Sequence, residues 1–257
     1  MTKNDVKREY KVEKRAAKKE YKKRLNIALS NYKSRLDDYY TSSGKQRPVN
    51  PPKRPLLEEI GNAVSHGLGS AFSIVALILM LVKSQTPNQY VSAIIYFFGL
   101  MVMFTCSCLY HAFAHGSAVK RLFRRFDYSS IYLLIGSTFA PVLLCVFDNT
   151  FGVIFFAIQW FIIACGISLV GVFGPTKLRF IHIPFYVLLG WSALMLFPGM
   201  MSVAPALAFW ILAGGIIYTV GIIPFFMKSK VAHFIWHLFV LAAAVVQWIG
   251  IYVYIFD

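Results

Sequence analysis

The sequence predicts an all-α, polytopic membrane protein with seven transmembrane helices, and three observations support this fold class. Of the 257 residues, 58% are hydrophobic and only 14% are charged, whereas about a quarter of the residues in a soluble domain are charged. Seven stretches are apolar over about 20 residues, the length that a helix needs to cross the hydrocarbon core of a bilayer. Charge is also unevenly distributed, because 17 of the 26 basic residues lie before residue 58.

This charge distribution divides the chain into a basic arm, residues 1–55, and a transmembrane domain, residues 56–257. In the arm, a thin apolar stripe predicts one long helix from Val6 to Leu36, and Thr41 to Pro55 has the composition of a linker. The stripe consists of Val6, Tyr10, Ala17, Tyr21, Leu25, Ala28, Tyr32 and Leu36. We expect the arm to lie on an anionic lipid surface, and we expect no nucleic acid as a partner. A solvated tail that mainly sets the membrane topology is the alternative.

The predicted spans follow one another with short connections, and hydropathy sets their boundaries. They lie at residues 62–83, 90–113, 126–147, 150–173, 179–198, 204–227 and 231–255. Pro141, Pro184 and Pro224 fall inside spans. They are compatible with transmembrane helices, because neighbouring helices satisfy the backbone groups that a proline frees.

Basic residues beside the loops predict the orientation of the spans in the cell membrane. One side of the bundle carries the basic arm and eight further cations: Lys120, Arg121, Arg124, Arg125, Lys177, Arg179, Lys228 and Lys230. On the other side, Lys83 is the only basic residue beside a loop. Because basic loops stay in the cytoplasm, the N-terminus is predicted to be cytoplasmic and the C-terminus at Asp257 to lie outside. An odd number of spans agrees with termini on opposite sides.

Few ionisable side chains lie within or at the ends of the spans, where such groups are costly and usually functional or paired. They are His66, His111, His115, Asp127, His182, His233 and His237. With the predicted orientation, all of them fall in the cytoplasmic half of the membrane. This clustering predicts a functional site at that end of the bundle.

Three of these histidines have the spacing of metal ligands. His233 and His237 are four residues apart, which places both rings on one face of a helix, about 6 Å apart at Cβ. His111 lies at a compatible depth on the second span if that helix continues to Lys120. Three imidazoles and a water form a four-coordinate site for one zinc ion, with the open position of hydrolytic zinc. Copper, iron and nickel also accept imidazole ligands.

Asp127 and Ser107 are the candidate catalytic residues beside this site. Asp127 is either a fourth ligand or a group that holds a zinc-associated water and accepts its proton. Ser107 precedes His111 by one helical turn and is placed to orient that histidine or the water. The alternatives are an interfacial ion pair of Asp127 with Arg124 or Arg125, and hydrogen-bonded packing roles for the histidines.

The order of these residues resembles that of a known family. Three motifs resemble the progestin and adiponectin receptor family: Ser107-x-x-x-His111, Phe-Asp127-Tyr-Ser-Ser and His233-x-x-x-His237. A further stretch is similar to the bacterial branch of that family, the hemolysin III proteins: Glu59-Ile-Gly-Asn-Ala-Val-Ser-His66-Gly-Leu-Gly. The resemblance covers residues 56–257 and leaves out the basic arm.

The resemblance implies a zinc ion held by His111, His233 and His237, with Asp127 binding a zinc-associated water and Ser107 nearby. Family members related to the adiponectin receptors, and the similar alkaline ceramidases, are associated with hydrolysis of amide bonds in lipids. Members of the bacterial branch are associated with cytolysis or with membrane lipid balance.

The remaining histidines match no zinc position of the family. For His66 we expect a structural hydrogen bond. The alternative is a contact with the residues that bind the metal or with the substrate. For His115 and His182 an interfacial location is a sufficient explanation.

Three functions follow from these observations. The first is a zinc-dependent hydrolase that cleaves an amide or ester bond of a membrane lipid. The second is a non-enzymatic, receptor-like sensor of membrane lipid state, in which zinc ties spans together. The third, a pore-forming cytolysin, is disfavoured because the spans lack a recurring polar face. The oligomeric state is not indicated by the sequence.

Overall fold

The computed structural model of the protein describes residues 2–44, 49–227 and 229–256. Two compact units divide the chain, Met1–Val49 and Asn50–Asp257. Every regular element within the described ranges is a helix, which confirms the predicted all-α class. Lys228 and Asp257, which entered the prediction of orientation, lie outside the described residues, and the orientation itself stays a prediction.

The arm is one helix, α1, which spans Lys3–Ser42 and has 40 residues. It begins at a capping box, in which Thr2 Oγ1 accepts a hydrogen bond from the Asp5 backbone N–H at 3.3 Å and Asp5 Oδ2 accepts one from the Thr2 backbone N–H at 2.8 Å. The helix is therefore longer at both ends than the predicted Val6–Leu36. None of its residues is buried, so the apolar stripe stays exposed. Residues 45–48 of the predicted linker lie outside the described residues.

Seven helical spans in the second unit are long and apolar enough to cross a membrane, as predicted. The helices are α2 Leu56–Lys83, α3 Pro87–Ala112, α4 Ala118–Pro141, α5 Thr150–Phe173, α6 Arg179–Trp191, α7 Ala193–Val203, α8 Pro205–Phe226 and α9 Ala232–Ile255. A π-helical turn, Val142–Val146, continues α4. The third span therefore comprises α4 and this turn, and the fifth comprises α6 and α7.

Two spans begin well before their predicted first residues. The first span starts at Leu56 rather than residue 62, and the third starts at Ala118 rather than residue 126. Ser117 caps α4, because its hydroxyl accepts a hydrogen bond from the Lys120 backbone N–H at 3.0 Å. Charged residues at these helix starts lower the local hydropathy, so the hydropathy boundary falls too far along the chain.

The fifth span is not the single helix predicted at residues 179–198. It breaks at Ser192 between α6 and α7 and continues to Val203. Pro198 lies inside α7, and a proline ring collides with the carbonyl four residues earlier, here Leu194. The proline therefore removes one backbone hydrogen bond from the turn after the break.

Small residues allow the helices around the centre of the bundle to approach closely. Helix α3 packs along both α2 and α4, and α9 packs along α8 and α2. A Cβ on Gly99 would lie 1.7 Å from Ser137 Oγ, and one on Gly214 would lie 2.2 Å from Gln247 Cγ. Such glycines let transmembrane backbones meet. This packing brings the end of α3 beside the starts of α2, α4 and α9.

Candidate metal centre

The three predicted ligand histidines meet at this end of the bundle. His111 lies in the last turn of α3, and His233 and His237 lie in the first two turns of α9. One ring nitrogen from each histidine lies within 4.8 Å of the other two. The ring centroids of His111 and His237 are 4.7 Å apart, and those of His233 and His237 are 4.9 Å apart. The three side chains therefore form a group that could hold a metal ion.

Buried nitrogen atoms of this group lack hydrogen-bond partners. Within the described part of the chain, neither His111 Nε2 nor His237 Nδ1 has one. An unsatisfied polar atom in the interior costs about 1–3 kcal/mol, so its presence in a native fold requires an explanation. A metal ion bound by the three imidazoles would satisfy these atoms. This donor set suits zinc and also other first-row metals.

A partly buried carboxylate orients one of the three histidines. His111 Nδ1 lies 2.5 Å from Glu59 Oε2, and Lys120 Nζ lies 3.0 Å from Glu59 Oε1. The side chains of His111 and Lys120 are essentially inaccessible, at 0% and 1% exposed. When Nδ1–H of His111 donates to Glu59, Nε2 is left unprotonated and free to bind a metal.

The turn between α3 and α4 places Lys120 in this network. Helix α3 ends at Ala112, and the turn contains Gly116 with a φ of 82°, a left-handed conformation that favours glycine. Lys120 Nζ also donates to the carbonyl oxygens of Phe113, at 3.0 Å, and His111, at 3.4 Å. The assumption that α3 continues to Lys120 is therefore wrong, and Lys120 is buried rather than in a loop.

Sequence analysis missed the roles of Glu59 and Lys120 because the predicted span boundaries excluded both. With the observed helix starts, each lies inside a span, where an ionisable residue indicates a paired or functional group. The adjacent Asn62, noted only as part of a motif, places its side-chain amide 3.3 Å from His111 Nδ1. Acidic residues at the start of an apolar helix were the available signal, but they are also common partners of the helix dipole.

Asp127 lies beside the histidines but is not one of the grouped ligands. It is absent from the set of described residues whose ligand atoms lie within 4.8 Å of one another. Buried Ser107 and His111 are both close enough to its carboxylate to interact with it electrostatically. Its role, as a fourth ligand or as a group beside the ligands, stays a prediction.

Asp127 forms no ion pair with Arg124 or Arg125 within 4.0 Å among the described residues, so this predicted alternative is not observed. Arg125 instead donates to the Gly171 carbonyl at 3.0 Å. The Arg124 guanidinium lies over the Tyr128 ring, 5.8 Å from its centroid. Asp127 is therefore left without an arginine partner within 4.0 Å among the described residues.

The other histidines differ in their surroundings. His66 is buried and stacks on His237 with ring centroids 3.8 Å apart, but neither ring nitrogen makes a hydrogen bond within the described residues. The structural hydrogen bond expected for His66 is thus not observed. His182 is fully buried in the first turn of α6, and its Nδ1 lies 3.0 Å from the Tyr132 hydroxyl; its predicted interfacial location stays a prediction. His115 is exposed in the turn after α3, as an interfacial location requires.

A cavity of about 220 Å³ runs from this site into the bundle. Its polar end is lined by Arg54, His66, Ser107, Tyr110, Arg124, Asp127, Tyr128, His233 and His237. Along α4 the lining extends from Arg124 to Val142, which is about 27 Å at 1.5 Å per residue. This length approaches the thickness of the hydrocarbon core, about 30 Å. The remainder of the lining is mostly apolar, so the cavity has the shape and polarity to hold a lipid chain.

Comparison with known proteins identifies relatives that cover most of this chain. Residues 55–248 match the family model described as Haemolysin-III related. The chain is 33% identical over 204 residues to "Hemolysin-3" of Bacillus cereus, which covers 77% of this chain and 92% of that protein. It is 30% identical over 193 residues to "Hemolysin-3 homolog" of Bacillus subtilis (strain 168), with coverages of 73% and 89%.

A more distant human relative is also similar over the same share of this chain. The chain is 27% identical over 208 residues to "Monocyte to macrophage differentiation factor" of Homo sapiens, with coverages of 77% and 85%. The family model begins at residue 55. The basic arm is therefore outside the region that the family shares.

Proposed function

This chain belongs to the Haemolysin-III related family, and from that premise we propose that it is a zinc-dependent hydrolase that cleaves an amide or ester bond of a membrane lipid. The predicted resemblance to the hemolysin III branch of the progestin and adiponectin receptor family is confirmed by this membership. One observation supports the proposal most strongly. Two members of the three-histidine group, His233 and His237, share the polar end of a long apolar cavity with a separate carboxylate, Asp127.

His111, His233 and His237 would hold the ion. Zinc in such a site supplies a Lewis acid that polarises a carbonyl, and it lowers the pKa of an associated water to about 7. Glu59 fixes the ring of His111 through Nδ1 and so directs Nε2 towards the other two imidazoles. Lys120 neutralises Glu59 from the side opposite the histidine.

Asp127 would act as the general base and then as the general acid. Its carboxylate accepts the proton of the attacking water and returns it to the leaving nitrogen or oxygen. Ser107 holds the carboxylate in place through its hydroxyl. The apolar cavity would hold the acyl chain of the lipid and exclude bulk water, which strengthens each of these electrostatic interactions.

The test compares Asp127→Asn with Asp148→Asn, a matched change at an exposed residue remote from the site. Purified full-length protein in lipid vesicles is assayed for fatty-acid release across a panel of amide- and ester-linked lipids, and for zinc by mass spectrometry. Asp127→Asn should lower turnover by about 10²–10⁴-fold and leave about one zinc per chain. Absence of metal even after zinc is supplied, or unchanged turnover in Asp127→Asn, would contradict the proposal.

A non-enzymatic lipid sensor is the second candidate, and the site itself favours it in one respect. The Glu59, His111 and Lys120 contacts, together with the α9 histidines, join α2, α3, α4 and α9 at one end. A metal there would clamp four helices. A sensor would retain zinc and bind lipid, yet release no fatty acid from any member of the panel. Pore formation is not supported by the cavity, since its lining is mostly apolar.

A further inference from the structure

Two arginines converge on the polar end of the cavity from distant parts of the chain. Arg54 lies in the non-helical segment before α2, and Arg124 lies in the second turn of α4. Both line the cavity. Both also lie close enough to Asp127 and Tyr110 to interact with them electrostatically. The two guanidinium groups therefore flank the place where the reacting bond of a lipid would lie.

The hydrogen-bonding capacity of these arginines is largely unused. A guanidinium has five N–H donors. Arg54 Nη1 lies 3.4 Å from Glu58 Oε1, but Arg54 Nε is buried and has no partner in the described part of the chain. Arg124 lies over the Tyr128 ring but forms no ion pair within 4.0 Å among the described residues. The buried, unpartnered Nε of Arg54 beside the cavity indicates a missing acceptor.

Neighbouring arginines on α4 make this pair distinctive. Arg121 Nη1 donates to Asn50 Oδ1 at 3.1 Å and to the Gly116 carbonyl at 2.7 Å. Arg125 donates to the Gly171 carbonyl. Both arginines have protein acceptors, and neither lines the cavity. A surplus of basic residues at a membrane interface therefore does not explain the placement of Arg54 and Arg124.

With the metal of the proposed function bound, the charges at the cavity end require an anion. Without it, Glu58 pairs with Arg54, and Asp127, the only carboxylate among the described residues that line the cavity, balances the charge of Arg124. The divalent ion of the proposed function would add two positive charges that none of these carboxylates offsets. A partly buried surplus of positive charge is costly unless it is paired. An anionic group on the ligand would supply the missing charge and accept hydrogen bonds from both arginines.

We infer that Arg54 and Arg124 bind the phosphate of an anionic phospholipid whose acyl chain occupies the apolar part of the cavity. The planar guanidinium fork matches two phosphate oxygens at once, which is why arginine is preferred at such sites. The inference deepens the proposed function and rests on it for the reaction, because it names the class of substrate. The binding itself does not depend on turnover.

The experiment measures ligand affinity of full-length protein in a neutral detergent by native mass spectrometry. The probes are dioctanoyl phosphatidylglycerol, dioctanoylglycerol, which has the same chains without the phosphate, and glycerol phosphate, which has no chains. Arg54→Gln and Arg124→Gln are compared with Arg121→Gln as the matched control. The arm carries the same charge in every variant, so its own lipid binding is common to all. Zinc content and thermal unfolding report whether each variant is folded.

Phosphatidylglycerol should bind more tightly than either of the other probes. Each cavity variant should weaken its binding by about tenfold or more, as loss of a charge-assisted hydrogen bond predicts, while Arg121→Gln should leave it unchanged. Equal binding of dioctanoylglycerol would overturn the inference, because the phosphate would then contribute nothing to binding. Equal binding of glycerol phosphate would show a free phosphate site and overturn the lipid assignment. Loss of phosphatidylglycerol binding in all three arginine variants would show that surface charge alone attracts the lipid, and it would also overturn the inference.

These outcomes separate the inference from the proposed function. Protein that holds zinc and releases fatty acid, but binds phosphatidylglycerol equally in wild type and both cavity variants, would retain the hydrolase and lose the phosphate site. Protein that binds phosphatidylglycerol through Arg54 and Arg124 but releases no fatty acid would retain the phosphate site and lose the hydrolase. Arg124→Lys refines the result, because lysine keeps the charge but loses the fork and should restore only part of the affinity.

Discussion

The polar end of the cavity and its apolar remainder are stabilised in different ways. Beside the polar end, directional contacts hold individual atoms, such as the 2.5 Å and 3.0 Å contacts of Glu59 with His111 and Lys120. Around the remainder, glycines such as Gly214 let helices pack closely, and side-chain hydrogen bonds are few among the described residues. One of these is the 3.1 Å bond between Trp191 Nε1 and Thr219 Oγ1.

This difference follows from the bilayer as a solvent. Apolar side chains gain little by leaving lipid for the bundle interior, so transmembrane helices associate through fit and through polar contacts. A charged group in the interior, by contrast, must be paired or bind a ligand. Substitutions at the polar end should therefore change metal and ligand binding, whereas substitutions in the remainder should change stability.

The largest effect is expected from His233→Ala/His237→Ala, because it removes two of the three ligands at the polar end. Metal content should fall from about one ion per chain to none, as measured by mass spectrometry of detergent-purified protein. His66→Ala is the matched control, because His66 stacks on His237 but is not one of the grouped ligands. Metal loss in His66→Ala alone would show that the ligand set has been wrongly assigned.

A smaller effect on the same property is expected from Glu59→Gln. The ring of His111 loses its charged acceptor, and such partners of metal-binding histidines contribute about 10–100-fold to metal affinity. Competition with a chelator of known affinity measures the change. Glu58→Gln is the control, because the adjacent Glu58 carboxylate pairs with Arg54 and not with His111. Equal metal affinity in both variants would separate Glu59 from the site.

The smallest effect is expected in the apolar part, where two adjacent glycines should respond differently. A Cβ on Gly214 would meet Gln247 at 2.2 Å, whereas one on Gly215 would meet nothing within 4 Å. Gly214→Ala should lower the free energy of unfolding by about 1–3 kcal/mol, and Gly215→Ala should not lower it. Thermal unfolding in detergent, with metal content as a check, makes the comparison. Equal destabilisation would mean that helix propensity rather than packing governs both positions.

Local patterns predicted the spans and three residues of the site, but they predicted contacts poorly. The i, i+4 spacing of His233 and His237 is a property of one helix, so it was visible in the sequence. Glu59 and His111 are 52 residues apart in the chain, and hydropathy assigned Glu59 to a region before the first span. The break at Ser192 was missed because apolar composition continues through it, while Pro198 alters the helix geometry.

The sequence by itself determined the number of spans, the all-α class, the family and the order of the histidine motifs, because hydropathy, helical spacing and motif order are written along one chain. The tertiary structure alone decided that Glu59 and Lys120 support His111, that His66 stacks on His237, and that Arg54 and Asp127 line the same cavity. These contacts join residues that are distant in the sequence. They exist only because glycines and short turns bring the helices to particular distances, which no local pattern specifies.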